Sequence, residues 1–173
     1  MCHEQPREAR LARQRHVLQI RGTPVATVLI GSMLPALLPL IAQTPLLPPF
    51  GFMIFIAWRL LRADIWPLWI GLPLGLFDDI MSGQPIGSAV FLWTVVLLAL
   101  EMESRRHFWR DYRHDWLSAS AAIVFVLLGG WLFVTIGGNG GPVVQIVPQI
   151  AYGIGLFPLV VRICAALDRW RLP

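Results

Sequence analysis

Residues 117–137 read LSASAAIVFVLLGGWLFVTIG, a run without a charged side chain. A helix needs about 20 mostly apolar residues to cross the hydrocarbon layer of a bilayer, and this run has that length. It lies between a charged stretch, 101–116, and a glycine-rich stretch, 137–141. We therefore predict a transmembrane helix at 117–137.

Five further apolar segments are separated by short polar or Gly/Pro-rich breaks. The predicted spans cover residues 23–43, 46–61, 64–81, 85–100, 117–137 and 142–164. Of the 173 residues, 56% are hydrophobic and 14% are charged, against about 25% charged in a soluble domain. The sequence therefore predicts an all-α integral membrane protein, a six-transmembrane-helix bundle formed by the single domain 23–164.

Three of these spans have irregular features. Pro35 and Pro39 predict a kink in the first span, because each proline removes a backbone hydrogen-bond donor. The second span, 46–61, is short, and a re-entrant segment is the alternative to a full crossing. In the third span, Gly71 and Gly75 are four residues apart, which predicts a close contact with another helix.

Three polar segments flank or interrupt the spans. Residues 1–22 form an Arg-rich tail, expected either to lie on the membrane as a short helix or to be disordered, and not to be a signal peptide. Residues 101–116, EMESRRHFWRDYRHDW, mix arginines with aromatic side chains, which is typical of an amphipathic helix in the headgroup layer. A second tail covers 165–173. With spans around these segments, we expect contact with membrane lipids and not with nucleic acid.

The basic residues, all of them arginine, indicate the orientation. Five precede the first span, two (Arg59 and Arg62) lie at the end of the second, four lie in 101–116 and three lie near the C-terminus. Six spans place all of them on one side, and cytoplasmic loops attract basic residues. We therefore expect both termini in the cytoplasm, with Arg59 and Arg62 able to reach lipid headgroups.

Two adjacent carboxylates, Asp78 and Asp79, lie inside the third span near the opposite side. Successive residues on a helix point about 100° apart, so the two side chains cannot share one face. The helix C-terminus disfavours an anion, and no arginine is expected on that side. A proton or cation site, or a contact with a partner protein, are the functional alternatives for this pair.

The turn after this pair suggests a structural role. Ser82 and Gly83 predict a tight turn, and Pro85 fits the first position of the fourth helix. The free N–H groups near Ile86 and Gly87 are available donors. We expect Asp79 to accept from them and to join the third helix to the fourth.

A catalytic or metal site is not expected. The four histidines lie in the predicted cytoplasmic segments, away from the two aspartates, and the glycine run at 137–141 lacks the lysine of a phosphate-binding loop. We therefore predict no enzyme activity and no cofactor. The histidines are His3, His16, His107 and His114.

Several polar side chains near the outer side allow a second interpretation. Gln84, Asn139, Gln145, Gln149 and Tyr152 are able to line a small polar pocket. Gln145 and Gln149 are four apart, on one helix face. Hydrogen bonding between helices is the alternative role for these side chains, and it is the one we favour.

Residues 75–87, GLFDDIMSGQPIG, resemble the signature of the rod shape-determining protein MreD family. In that family a third span ends in an aspartate, followed by Ser/Gly, a short variable step and Leu/Ile-Gly. The matching positions are Asp79, Ser82, Gly83, Ile86 and Gly87. Weaker matches are Pro48 or Pro49 before the second span, and Gly153 with Pro158 in the last. Asp78 and the Arg-rich tail depart from the pattern.

The resemblance implies a non-enzymatic scaffold subunit of the cell-elongation machinery in the bacterial cytoplasmic (inner) membrane, which builds peptidoglycan and maintains cell shape. It implies MreC and MreB as partners and, more loosely, a lipid-II polymerase and a penicillin-binding transpeptidase. The implied fold is similar to the substrate-binding subunits of energy-coupling-factor transporters. That likeness concerns the fold and does not transfer function. The alternative function, which the possible polar pocket favours, is a vitamin-type small-molecule binding subunit of such a transporter.

Overall fold

A computed structural model describes residues 22–35, 47–62, 66–106, 112–138 and 140–171. Of these residues, 87% are helical and none lies in a strand. The predicted all-α fold is therefore confirmed for this part of the chain. Two short 3-10 turns, Leu68–Ile70 and Val143–Gln145, precede α3 and α6. The helices are α1 (Gly22–Pro35), α2 (Phe50–Leu61), α3 (Gly71–Ser82), α4 (Ser88–Arg106), α5 (Tyr112–Ile136) and α6 (Ile146–Arg171).

The central helix of the bundle is α2, which has 12 residues and packs mainly against α6. At 1.5 Å per residue it is only about 18 Å long. Apart from Arg59, its sequence is apolar all round, which is typical of a buried helix, and none of its residues is exposed. The rings of Phe52 and Phe55 lie 5.5 and 4.9 Å from that of Trp93 in α4. This aromatic cluster fixes α2 against the α3–α4 pair.

The third and fourth helices approach each other very closely. A side chain at Gly75 would place its Cβ 2.7 Å from the Cα of Val90, so the two backbones are nearly in contact there. One turn earlier, the Cβ of a side chain at Gly71 would lie 3.2 Å from the hydroxyl of Thr94. The close contact predicted from the spacing of Gly71 and Gly75 is confirmed, and α4 is the partner helix.

The helices alternate in direction, so their ends gather at two poles of the bundle. At one pole, which we call the arginine end, Arg59 after the middle of α2 pairs with Glu101 of α4 at 2.5 Å. Arg62 pairs there with Asp168 of α6 at 3.0 Å. The side chain of Arg59 is only 3% exposed. The expectation that Arg59 reaches lipid headgroups is therefore wrong, because Glu101 binds its buried side chain. Arg62 is 40% exposed beside Asp168, so for Arg62 the expectation stays a prediction.

The opposite pole, which we call the carboxylate end, holds Asp78 and Asp79 at the C-terminus of α3. The C-terminus of α1 meets it through Ser32, and the N-terminus of α4 through Ala89. The N-terminus of α6 also lies there, since Gln149 and Asp78 border one cavity. Six alternating helices produce this grouping of ends.

Among the helices that the structure describes, two are long and apolar enough to cross a membrane. They are α5 and α6, with mean hydropathies of 2.3 and 2.0 over their most apolar stretches. Only 28% and 17% of those stretches are buried inside the protein, whereas a core helix of a soluble protein would be mostly buried. Large apolar side chains are also exposed on the other outer helices, among them Ile30, Leu72, Ile80 and Phe91.

Several boundaries differ from those predicted. The charged stretch 101–116 is not a separate surface helix in its described parts, because α4 continues to Arg106 and α5 begins at Tyr112. Likewise α6 continues to Arg171, into the predicted tail 165–173. Ion pairs and a hydrogen bond from Ser118 to Glu103 at 2.9 Å stabilise these polar helix ends. Residues 1–21 and 36–46, with the predicted kink at Pro39, lie outside the described residues.

Candidate functional site at the carboxylate end

The carboxylate of Asp79 joins α3 to α4. Its Oδ2 accepts a hydrogen bond from the backbone N–H of Gly87 at 2.7 Å. Its Oδ1 accepts from the N–H of Ala89 at 2.8 Å and from the hydroxyl of Ser88 at 2.9 Å. The free N–H groups at a helix start attract anions. The bond expected from the sequence is present at Gly87, and we call Asp79 with its three donors the clasp.

The turn between the two helices has the conformation that the clasp needs. Gly83 ends α3 with a φ of 67°, and Gly87 has a φ of 100°, both in the region that favours glycine. The hydroxyl of Ser82 donates to the carbonyl oxygen of Asp78 at 2.7 Å, which satisfies an acceptor of the last helical turn. The carbonyl oxygen of Pro85 accepts from the N–H of Ser88. The prediction that Pro85 is the first position of the fourth helix is wrong, because α4 begins three residues later, at Ser88. Each of these positions therefore supports the turn.

Asp78 points toward a different helix. Its Oδ1 accepts a hydrogen bond from the hydroxyl of Ser32 in α1 at 2.6 Å. A side chain at Gly51 would place its Cβ 3.1 Å from that same oxygen and against Ser32. Glycine at position 51 therefore lets α1, α2 and α3 meet at the carboxylate. Sequence reasoning missed Ser32, because a lone serine in an apolar helix carries no signal of its partner.

Next to Asp78 lies a cavity of about 280 Å³ between α3, α4, α5 and α6. Asp78, Gln84, Gln145 and Gln149 contribute its polar groups, and Trp93 and Trp131 line it as well. The indole N–H of Trp131 donates to the carbonyl oxygen of Gly141 at 2.8 Å, which ties α5 to the segment before α6. No pattern in the sequence predicted that either tryptophan lines this cavity.

The structure separates the residues predicted to line a polar pocket. Gln84, Gln145 and Gln149 are brought together in the cavity, whereas Tyr152 is half exposed and does not line it. Asn139 lies outside the described residues. The favoured alternative, hydrogen bonds between helices, is not seen for Gln145 or Gln149 in the described part of the chain.

The arginine end carries ion pairs rather than a reactive site. Nε2 of His114 lies 3.4 Å from a carboxylate oxygen of Glu103, and the hydroxyl of Ser118 donates to that same oxygen. Among the residues that the structure describes, no group of three or more His, Cys, Asp or Glu side chains is arranged to hold a metal ion. The cavity at the carboxylate end is therefore the strongest candidate site.

Comparison of the chain with protein-family models, curated proteins and solved structures found no match.

Proposed function

We propose that this chain is a multi-pass protein of the bacterial inner membrane, and that it acts as a non-enzymatic scaffold subunit of the cell-elongation complex. In this proposal all six helices cross the bilayer, with the arginine end in the cytoplasm. MreC is the expected direct partner and MreB the cytoplasmic one, by the resemblance of residues 75–87 to the MreD family.

The two chemically different poles support the membrane proposal. The arginine end carries Arg59 and Arg62, whereas residues 82–87 at the carboxylate end include no basic residue. Between the poles, the outer helices expose apolar side chains, as lipid contact requires. The short α2 is enclosed by other helices, so it does not have to match the thickness of the bilayer itself.

Cysteine labelling tests this orientation. In a variant without Cys2 and Cys164, we expect Ile86→Cys to react with a membrane-impermeant maleimide in intact spheroplasts. Trp170→Cys should react only after permeabilisation. Both sites are strongly exposed, at 79% and 87%, so burial does not limit either reaction. Labelling of Trp170→Cys in intact spheroplasts would contradict the proposed orientation.

The clasp is the observation that carries the scaffold proposal. The positions that match the family signature form the α3–α4 turn, and Asp79 is only 1% exposed. A buried, fully bonded carboxylate supports an architectural role, because it is not available to a substrate. The apolar outer faces of α3 and α4 remain free to pack against partner helices.

Co-purification tests the scaffold proposal. A tagged chain solubilised from its native cells should bring down MreC. Because Asp79 is buried, Asp79→Ala should lower the amount of folded chain and of MreC together, with their ratio unchanged. A lower ratio at unchanged stability would make Asp79 a contact residue, and a pull-down free of every elongation protein would overturn the proposal.

A second candidate function, a small-molecule binding subunit of an energy-coupling transporter, is favoured by the cavity. Its polar groups converge near one pole, as such a subunit requires. Co-purification with an ATPase pair, rather than with MreC, would support this second function.

A further inference from the structure

We propose that the cavity at the carboxylate end is a binding site for a small organic cation carrying an ammonium group. The inference rests on the cavity alone, and it holds for a scaffold as for a transporter subunit. Four properties of the site support it: its charge, its unpaired polar groups, its aromatic walls and its size.

The charge of the cavity selects cations. Asp78 is the one ionisable side chain among the described residues that line it, and Asp79 lies next to it in α3. None of these lining residues is basic. The apolar walls of a cleft lower the local dielectric and focus the field of the carboxylate. An anionic ligand would therefore be repelled.

The polar groups in the cavity have unused hydrogen-bonding capacity. Oδ1 of Asp78 accepts from Ser32, and within the described residues Oδ2 has no donor. The amides of Gln145 and Gln149 likewise lack a side-chain hydrogen bond to any described residue. Because these groups border the cavity, a carboxylate oxygen and two amides are available to a ligand.

Aromatic walls suit an organic cation better than a bare metal ion. Trp93 and Trp131 both line the cavity, and tryptophan gives the strongest attraction to a cation over its ring face. The hydrogen bond from Trp131 to Gly141 holds one of these rings in place. Among the residues that the structure describes, no group of three or more His, Cys, Asp or Glu side chains is placed to hold a metal ion here.

The size of the cavity restricts the ligand to a small molecule. A volume of about 280 Å³ lies at the lower edge of the roughly 300–1,000 Å³ typical of ligand pockets. A primary or quaternary ammonium with one or two further hydrogen-bonding groups fits these limits. In such a complex the ammonium would lie against Asp78, and the polar end would reach Gln145 and Gln149.

Binding of defined probes to the purified full-length chain in nanodiscs tests the proposal. The probes are methylammonium, tetramethylammonium and choline, with 3,3-dimethyl-1-butanol as the uncharged analogue of choline. We expect saturable binding of at least one ammonium probe by calorimetry, and at least tenfold weaker binding of the uncharged analogue. Asp78→Asn keeps the shape and the acceptor for Ser32, and it should weaken ammonium binding at least tenfold.

Two further variants complete the test. Gln149→Leu should weaken binding several-fold, which keeps the proposal testable if Asp78→Asn fails to fold. Leu159→Ala, on the exposed face of α6, should leave binding unchanged. Equal binding of the uncharged analogue, undiminished binding by folded Asp78→Asn, or no binding of any ammonium probe would overturn the proposal. Co-purification of MreC is unaffected by these outcomes, so the scaffold function is tested separately.

Discussion

Replacing Asp79 by alanine should destabilise the protein by about 1–3 kcal/mol. The change removes the acceptor for three hydrogen bonds of 2.7–2.9 Å. Ala89 is 4% exposed, so its N–H would be left buried without a partner. Gly87 is partly exposed, and water can replace its bond. Relief from burying a charge offsets part of the loss, which keeps the expected value within this range.

The neighbouring carboxylate provides a matched control. Asp78→Ala removes the same charge one residue away but breaks a single side-chain bond, from Ser32. We expect it to cost less than half as much as Asp79→Ala. Asp79→Asn should fall between the two, because its amide oxygen still accepts from Ala89, while its amino group opposes the N–H of Gly87.

Equilibrium unfolding in mixed detergent and dodecyl sulfate micelles, followed by tryptophan fluorescence, measures these differences. The buried Trp58 and Trp93 provide a signal from the core. Losses for Asp79→Ala and Asp78→Ala that are equal within error would refute the assignment of the clasp as the main connection between α3 and α4. An unchanged stability for Asp79→Ala would have the same consequence.

Two other contacts lead to further predictions for the same assay. Gly75→Ala should cost about 1–3 kcal/mol, because its Cβ would meet the backbone of α4, whereas Gly155→Ala, which meets open space, should cost nothing. Arg59→Met should cost about 1–3 kcal/mol, since it removes the ion pair between the buried guanidinium and Glu101, and adding Glu101→Gln should recover part of that loss. Arg62→Met should cost less than Arg59→Met, because the side chain of Arg62 is 40% exposed. A larger loss of stability for Arg62→Met than for Arg59→Met would contradict this expectation.

Local features of the sequence predicted the helices and the α3–α4 contact well. Gly71, Gly75 and Asp79 are close in sequence to the groups of α4 that they contact. Asp79 is also followed directly by a turn and the start of a helix. Partners that lie far apart in the chain were not predictable in this way. Arg59 and Glu101 are 42 residues apart, and Ser32 and Asp78 are 46 apart. A sequence pattern indicates such charged or polar groups, but only the packing of the helices determines which of them meet.

The two aspartates differ in what they can do because of their donors. Asp79 points toward the start of α4, where three donors bind both of its carboxylate oxygens. Its carboxylate therefore stabilises the α3–α4 connection and is not available to a ligand. Asp78, turned about 100° around the same helix, meets one hydroxyl and lines the cavity. Because the clasp holds the end of α3 against α4, it also fixes the position of Asp78. In our proposal, the aspartate that resembles the family signature builds the site, and the aspartate that departs from it binds the ligand.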